Sequence, residues 1–194
     1  MDQRLVGWAR AVKSRQRARG APVLWLFTDA RRLADPLAAA MALPRGLGGV
    51  VLRHDAAPGR AALGRALAGV CRARGLALAV AGDWRLAAAL RAGLHLRGGR
   101  RPAGAPRWLR GLTSSAHGVA EVRRARRQGA LAFLSPAFAT ASHPGAAGLG
   151  PCRWGLAARR GGVANAAAAL GGIDGRRVRR LPGCAAAGAL GALV

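Results

Sequence analysis

The chain has 194 residues, enough for one domain with a sizeable core, and a formal charge of +25 at pH 7. Such a balance ordinarily points to nucleic acid or an anionic membrane. Here only Lys13 is a lysine, Ile173 is the lone isoleucine and tyrosine is absent. The charge therefore follows an Arg-, Ala- and Gly-rich composition of the kind GC-rich coding produces, and a solvated basic surface accounts for it. Without exposed aromatics interleaved among the arginines, a nucleic-acid partner is not expected.

Short apolar runs alternate with longer Arg/Ala/Leu segments of helical character, the rhythm of βαβ units and a parallel sheet. Residues 1–20 read as a basic, amphipathic helical segment, and the lack of a continuous apolar core excludes a secretory signal. A short cytoplasmic helix is a simpler account of it than a transit peptide. Residues 21–194 read as a single domain. Strands are expected at 23–27, 50–53, 76–80, 93–96, 108–112, 130–134, 163–170 and within 185–193. Helices are expected at 33–43, 60–74, 84–91, 119–128, 151–160 and 176–181. Eight strands with helices between them, in so short a chain, predict an α/β fold of the (β/α)8 TIM-barrel type. The seventh strand is assigned against propensity. NAAAAL at 165–170 favours helix, but Gly-Gly on both sides and a helical segment after it argue for a strand.

Polar residues gather where these strands end. Thr28-Asp29 closes the first, Arg53-His54-Asp55 the second and Gly82-Asp83 the third. His95 lies at the end of the fourth, Ser114-Ser115 follows the fifth and Ser135 ends the sixth. In a barrel all of these share the C-terminal rim, where active sites lie. The densest cluster is SPAFATASHPGAAGLG at 135–150, with Gly171-Gly172 some twenty residues on. Hydroxyls and a histidine at a strand end, and glycines that let backbone N–H groups approach an anion, predict a phosphate site. Cys71, Cys152 and Cys184 are odd in number and widely spaced, so they read as buried or half-buried thiols of a reducing compartment. The Ala/Gly-rich C-terminus is too short to span a bilayer. A cytoplasmic protein with no membrane partner is expected.

The order LWLFTD, VVLRHD, AGDWRLAAALRAGLHL, SSAHGVAEVRRARRQGALAFLSPAFATASHPGA and ALGGI resembles the thiamine phosphate synthase and thiazole tautomerase superfamily. The resemblance spans residues 24–188, and its most specific piece runs from S-x-H to S-P-x-F-x-T-x-S. It implies a (β/α)8 barrel that joins a hydroxymethylpyrimidine pyrophosphate to a thiazole phosphate and releases pyrophosphate, with magnesium (Mg2+) as cofactor. It also implies small phosphorylated substrates as partners and a homodimer. Carried over by position, Arg53, Ser115, Thr140, Ser142 and His143 would hold pyrophosphate, Asp83 would bind the metal, and Gly171 and Gly172 would hold the thiazole phosphate.

The match has gaps. The family's Q-L-R-x-K is Val51-Leu52-Arg53-His54-Asp55 here, its Asn-Asp is Gly82-Asp83, and Arg100 stands where a second acidic ligand is expected. Binding of the metal in the family's manner is thus in doubt. His117 carries the alternative activity. A thiazole tautomerase needs an acid or base near neutrality and no metal. A relative without catalytic activity, binding a phosphorylated ligand or an anionic partner such as nucleic acid, is the non-enzymatic alternative. Ordinary structural roles stand beside these readings. Asp83 suits the N-cap of the helix at Trp84, and Ser115 and His117 with Glu121 suit a helix start. His95 reads as a structural histidine, and Arg53, on an apolar strand, calls for an anion that Asp55 or Asp83 could supply.

Overall fold

The computed structural model describes residues 1–16, 21–55, 57–140, 145 and 147–193. Eight parallel strands close into a barrel in sequence order: β1 (Leu24–Phe27), β2 (Gly48–Leu52), β3 (Ala77–Ala81), β4 (Gly93–Leu96), β5 (Thr113–Ala116), β6 (Leu131–Leu134), β7 (Ala168–Leu170) and β8 (Ala186–Ala189). Closure comes from β1 pairing with β8, Leu24 opposite Ala187 and Leu26 opposite Ala189. The helices are α1 (Gln3–Arg15), α2 (Pro36–Ala42), α3 (Arg60–Arg74), α4 (Trp84–Ala89), α5 (Val119–Arg127) and α6 (Gly150–Arg160). No helix among the described residues is long and apolar enough to cross a membrane.

Side chains alternate across each strand, which separates two apolar layers. The outer layer lies between strands and helices and includes Leu24, Leu26, Leu52, Val80, Leu94 and Leu134. Trp154 of α6 is fully buried in it, and its Nε1 donates to the Leu134 carbonyl. The inner layer holds Trp25, Phe27, Val51, Ala79, Ala81, Phe133, Ala168 and Ala186. Three rings do most of the filling. Phe133 meets Trp25 and Phe27 edge-on at 5.8 and 4.9 Å between centroids, and Phe27 meets His95 at 5.5 Å. Their bulk requires small neighbours: a Cβ on Gly49 would lie 2.7 Å from the Trp25 ring.

α1 is seated on this body. Asp2 caps it through Oδ1, accepting from the N–H groups of Arg4 and Leu5, while Oδ2 accepts from Gly175 N–H at 2.7 Å. Leu5, Val6, Trp8 and Ala9 are buried beneath the helix.

Several elements differ from expectation. The fifth strand is Thr113–Ala116 and not 108–112. The apolar run before it is a turn that leaves Trp108 63% exposed, and Gly111 there takes a φ of +65°. β5 itself is polar, and its hydroxyls are taken up by β4 and the residues after it. Thr113 Oγ1 bonds His95 Nδ1 at 2.9 Å, and Ser114 Oγ accepts from Gly99 N–H at 2.9 Å. The seventh strand is a strand, shortened to Ala168–Leu170, because its partners Phe133 and Ala186 hold it extended despite its helical composition. Asp35 and Pro36 start α2 later than expected, and residues 176–181 keep only a 3-10 turn, Val178–Arg180. Cys71 is buried and Cys184 half-buried, but Cys152 is exposed on α6.

Because Gly49 makes room for Trp25, Gly49→Ala should cost about 1–3 kcal/mol by overpacking. Urea denaturation would read this as a lower midpoint with an unchanged slope.

Candidate functional site

The parallel strands bring the polar strand ends to one rim. At the ends of β2, β3 and β4 lies a cleft of about 400 Å³ lined by Asp55, Arg60, Asp83, Arg97, Arg100 and Arg101 among others. Asp55 bridges two guanidiniums: Oδ2 lies 2.6 Å from Arg97 Nη2, and Oδ1 lies 3.3 Å from Arg60 Nη2. Arg60 also donates to the Ala81 carbonyl at 2.6 Å and faces Asp83 Oδ2 at 3.7 Å. Four arginines against two aspartates leave the cleft cationic, a suitable lining for phosphate oxygens.

Asp83 does what a helix cap does. Its Oδ1 accepts from Leu86 N–H at 3.0 Å, and its other oxygen is turned to Arg60. Arg100 lines the same cleft where a second carboxylate would be needed. Magnesium takes an octahedron of oxygens, with carboxylates free to face it. Among the described residues no three Asp, Glu, His or Cys side chains gather in one place. This donor set does not fit the metal, since both carboxylates are already opposed by arginines.

Arg53 follows β2 and is exposed, with no ion-pair partner among the described residues. The expectation that Asp55 or Asp83 neutralises it is therefore corrected: those carboxylates face Arg60 and Arg97 instead. The Arg53 N–H donates to Thr28 Oγ1, which also bonds His54 Nδ1 at 2.9 Å. His54 is buried, and desolvation holds its pKa down. His95 is a structural residue, packed against Phe27 and bonded to Thr113. Burial first, then the positive charges of Arg53 and Arg97, push its pKa down to about 3.

Ser115 lies on β5, with its Oγ 3.4 Å from the Gly98 N–H as acceptor. It therefore belongs to the β4 side of the rim, beside Arg97. His117 is exposed just past β5; its backbone N–H donates to Glu121 Oε2 at 2.7 Å, but the N-cap of α5 is Gly118, with no side-chain cap bond, so Ser115 and His117 do not cap the helix as expected. Its ring Nδ1 lies 3.1 Å from the Ser135 carbonyl. A proton on Nδ1 satisfies that contact and leaves Nε2 as the basic nitrogen.

On the far side of the rim the chain after β6 is stitched to Gly171-Gly172. Ala137 N–H donates to the Leu170 carbonyl and Phe138 N–H to the Gly171 carbonyl. The approach is close enough that a Cβ on Gly172 would lie 2.4 Å from the Ala139 carbonyl oxygen, and Gly172 has a φ of +62°. Thr140 is half-buried at the end of this segment. Ser142 and His143 lie outside the described residues.

A family model described as thiamine monophosphate synthase, TMP-TENI, matches residues 24–192. The chain belongs to this family. Two solved structures of similar fold are thiamine phosphate pyrophosphorylases. The one from Pyrococcus furiosus superposes with a TM-score of 0.67 at 21% identity, covering 89% of this chain and 87% of that one. The one from Bacteroides thetaiotaomicron has a TM-score of 0.58 at 18% identity, covering 88% and 83%. At such identities the likeness speaks for the fold. No curated protein sequence matches the chain.

Within the thiamine monophosphate synthase family frame, Arg60 is the rim residue that sequence reasoning missed. A signal was present. Arg60 opens α3, at the positive end of the helix dipole, behind a Gly59 that offers no side-chain cap. A cation there is unfavourable unless anions face it.

The depressed His95 pKa fixes the sign of a pH effect. Between about 3 and the ordinary 6.5, the unfolded chain takes up a proton that the fold excludes, so stability falls as pH drops through that window. The slope should approach about 1.4 kcal/mol per pH unit from this group alone. Denaturation free energies measured between pH 7 and 4 should decline less steeply for His95→Asn than for the natural protein, whatever their absolute values.

Proposed function

We propose that this chain is a thiamine phosphate synthase-like transferase that joins a hydroxymethylpyrimidine diphosphate to a thiazole phosphate and releases pyrophosphate. The observation that carries the reading, given the family, is one rim with a guanidinium-lined cleft on one side and the Gly171-Gly172 turn on the other. Those are two places for two phosphorylated substrates, facing each other across the barrel axis.

In this reading the bond between the pyrimidine methylene carbon and the diphosphate oxygen breaks, and its electron pair leaves with pyrophosphate. The thiazole nitrogen then donates its lone pair to the methylene carbon. The difficult part is the charge that grows on the departing oxygen. Cations placed beside it stabilise that charge. Arg60 supplies an anchored one and the exposed Arg97 and Arg53 close on the anion, with Ser115 as a hydroxyl donor, and Thr140, Ser142 and His143 are assigned to the same anion. Gly171 and Gly172 are assigned the thiazole phosphate, as the family pattern implies, on a turn held by the chain after β6.

The test is incubation with both substrates, with thiamine phosphate and pyrophosphate measured together. The expected result is one pyrophosphate per thiamine phosphate, and a loss of about 10²-fold in kcat for Arg97→Ala, the usual size of a deleted electrostatic donor. Absence of product from both substrates would overturn the proposal. If the thiazole phosphate alone were then isomerised, and that activity vanished in His117→Asn, the tautomerase would take its place.

A further inference from the structure

We propose that the cleft at the ends of β2, β3 and β4 binds a diphosphate group through arginine alone, without a divalent metal, and that Asp55 is an internal anion which the ligand displaces from Arg97. The inference rests on the phosphate reading of the rim above and specifies how that site works.

The carboxylates of this chain show what Asp55 is for. The sequence has seven acidic residues. Six of them accept backbone N–H groups: Asp2 from Arg4, Leu5 and Gly175, Asp29 from Arg31, Asp35 from Leu37 and Ala38, Asp83 from Leu86, Glu121 from His117, and Asp174 from Arg176 and Arg177. Among the described residues Asp55 accepts only from guanidiniums, those of Arg60 and Arg97. It caps no helix among the described residues. Its two oxygens, each on a different arginine, span the guanidiniums as two oxygens of one phosphoryl group would.

The pair is built to be opened. The Arg97 side chain is 65% exposed and that of Asp55 44% exposed, so water screens their attraction and the pair contributes little. Arg60 is the fixed partner, 14% exposed and anchored on the Ala81 carbonyl. Its Nε is buried with no hydrogen-bond partner among the described residues, in a guanidinium that already lines the cleft. Arg100 and Arg101 complete the lining. A diphosphate carries more charge and more acceptor oxygens than one carboxylate, so it competes for Arg97 on favourable terms. A magnesium ion gains nothing here, because Asp83 is committed to its cap and to Arg60, and Asp55 to two arginines.

The experiment is isothermal titration of the full chain with inorganic pyrophosphate at fixed ionic strength, once in EDTA and once in magnesium. The natural protein should bind in EDTA. Asp55→Asn should bind about fivefold tighter, the size of an exposed ion pair removed from competition. Arg97→Ala should bind more weakly. Asp35→Asn removes the same charge outside the cleft lining and keeps a helix-capping side chain, so it should leave the affinity unchanged, which separates displacement of Asp55 from a general rise in positive charge. Binding that needs magnesium would overturn the proposal, as would no binding, or an Asp55→Asn affinity equal to or below that of the natural protein. The readout is independent of turnover. Pyrophosphate binding with these effects but no thiamine phosphate formation would sink the transferase reading and leave this one standing. Turnover that requires magnesium would do the reverse.

Discussion

Closure of the barrel through β1 and β8 is the constraint on which everything else depends. A parallel sheet that closes leaves no edge strand and points all eight carbonyl ends at one rim. That is how residues as distant in sequence as Thr28, Asp83, Ser135 and Gly171 come to share a surface. Closure in turn depends on what fills the interior. With half of the inner layer alanine, this barrel is filled by Trp25, Phe27, Phe133 and His95, and the glycine opposite Trp25 is the complement to that bulk. The neutral imidazole of His95 is part of the packing, which ties the floor of the rim to the stability of the fold.

On that rim the electrostatics are set by scarcity of acid. In a chain of charge +25, carboxylates are committed to backbone N–H groups that need acceptors, and few remain for other tasks. A metal site built on carboxylates is hard to sustain under that composition. Guanidiniums are plentiful, always charged and shaped for phosphate oxygens. Gly82 at the amide position of the family pattern and Arg100 at its acidic one are consistent with one shift, from anion binding through a bridging cation to anion binding by arginine directly.

Much of this was legible in the residues. The alternation of short apolar runs with helical segments gave the closed barrel, and even the alanine-rich β7 could be read from the glycines that flank it. β5 could not be read from hydropathy. Its hydroxyls belong to a strand because His95 and the backbone of Gly99 satisfy them, and those partners are long-range. The site was legible as a set of strand-end residues but not as a network. Arg53 was expected to call for an anion that Asp55 or Asp83 could supply and faces solvent, whereas Arg60 looked like an ordinary helix residue and is the half-buried centre of the ion pairs. Which arginine a carboxylate chooses depends on side-chain reach across the rim, and strand order alone does not determine it.

The central claim is that arginines, and not a metal, hold the diphosphate at this rim. A crystal structure of the protein grown with pyrophosphate and magnesium together tests it most directly. The account predicts the anion against Arg60 and Arg97, Asp55 turned away from Arg97, and Asp83 still bonded to the Leu86 N–H with no metal on it. A magnesium ion bridging Asp83 and the pyrophosphate would contradict it.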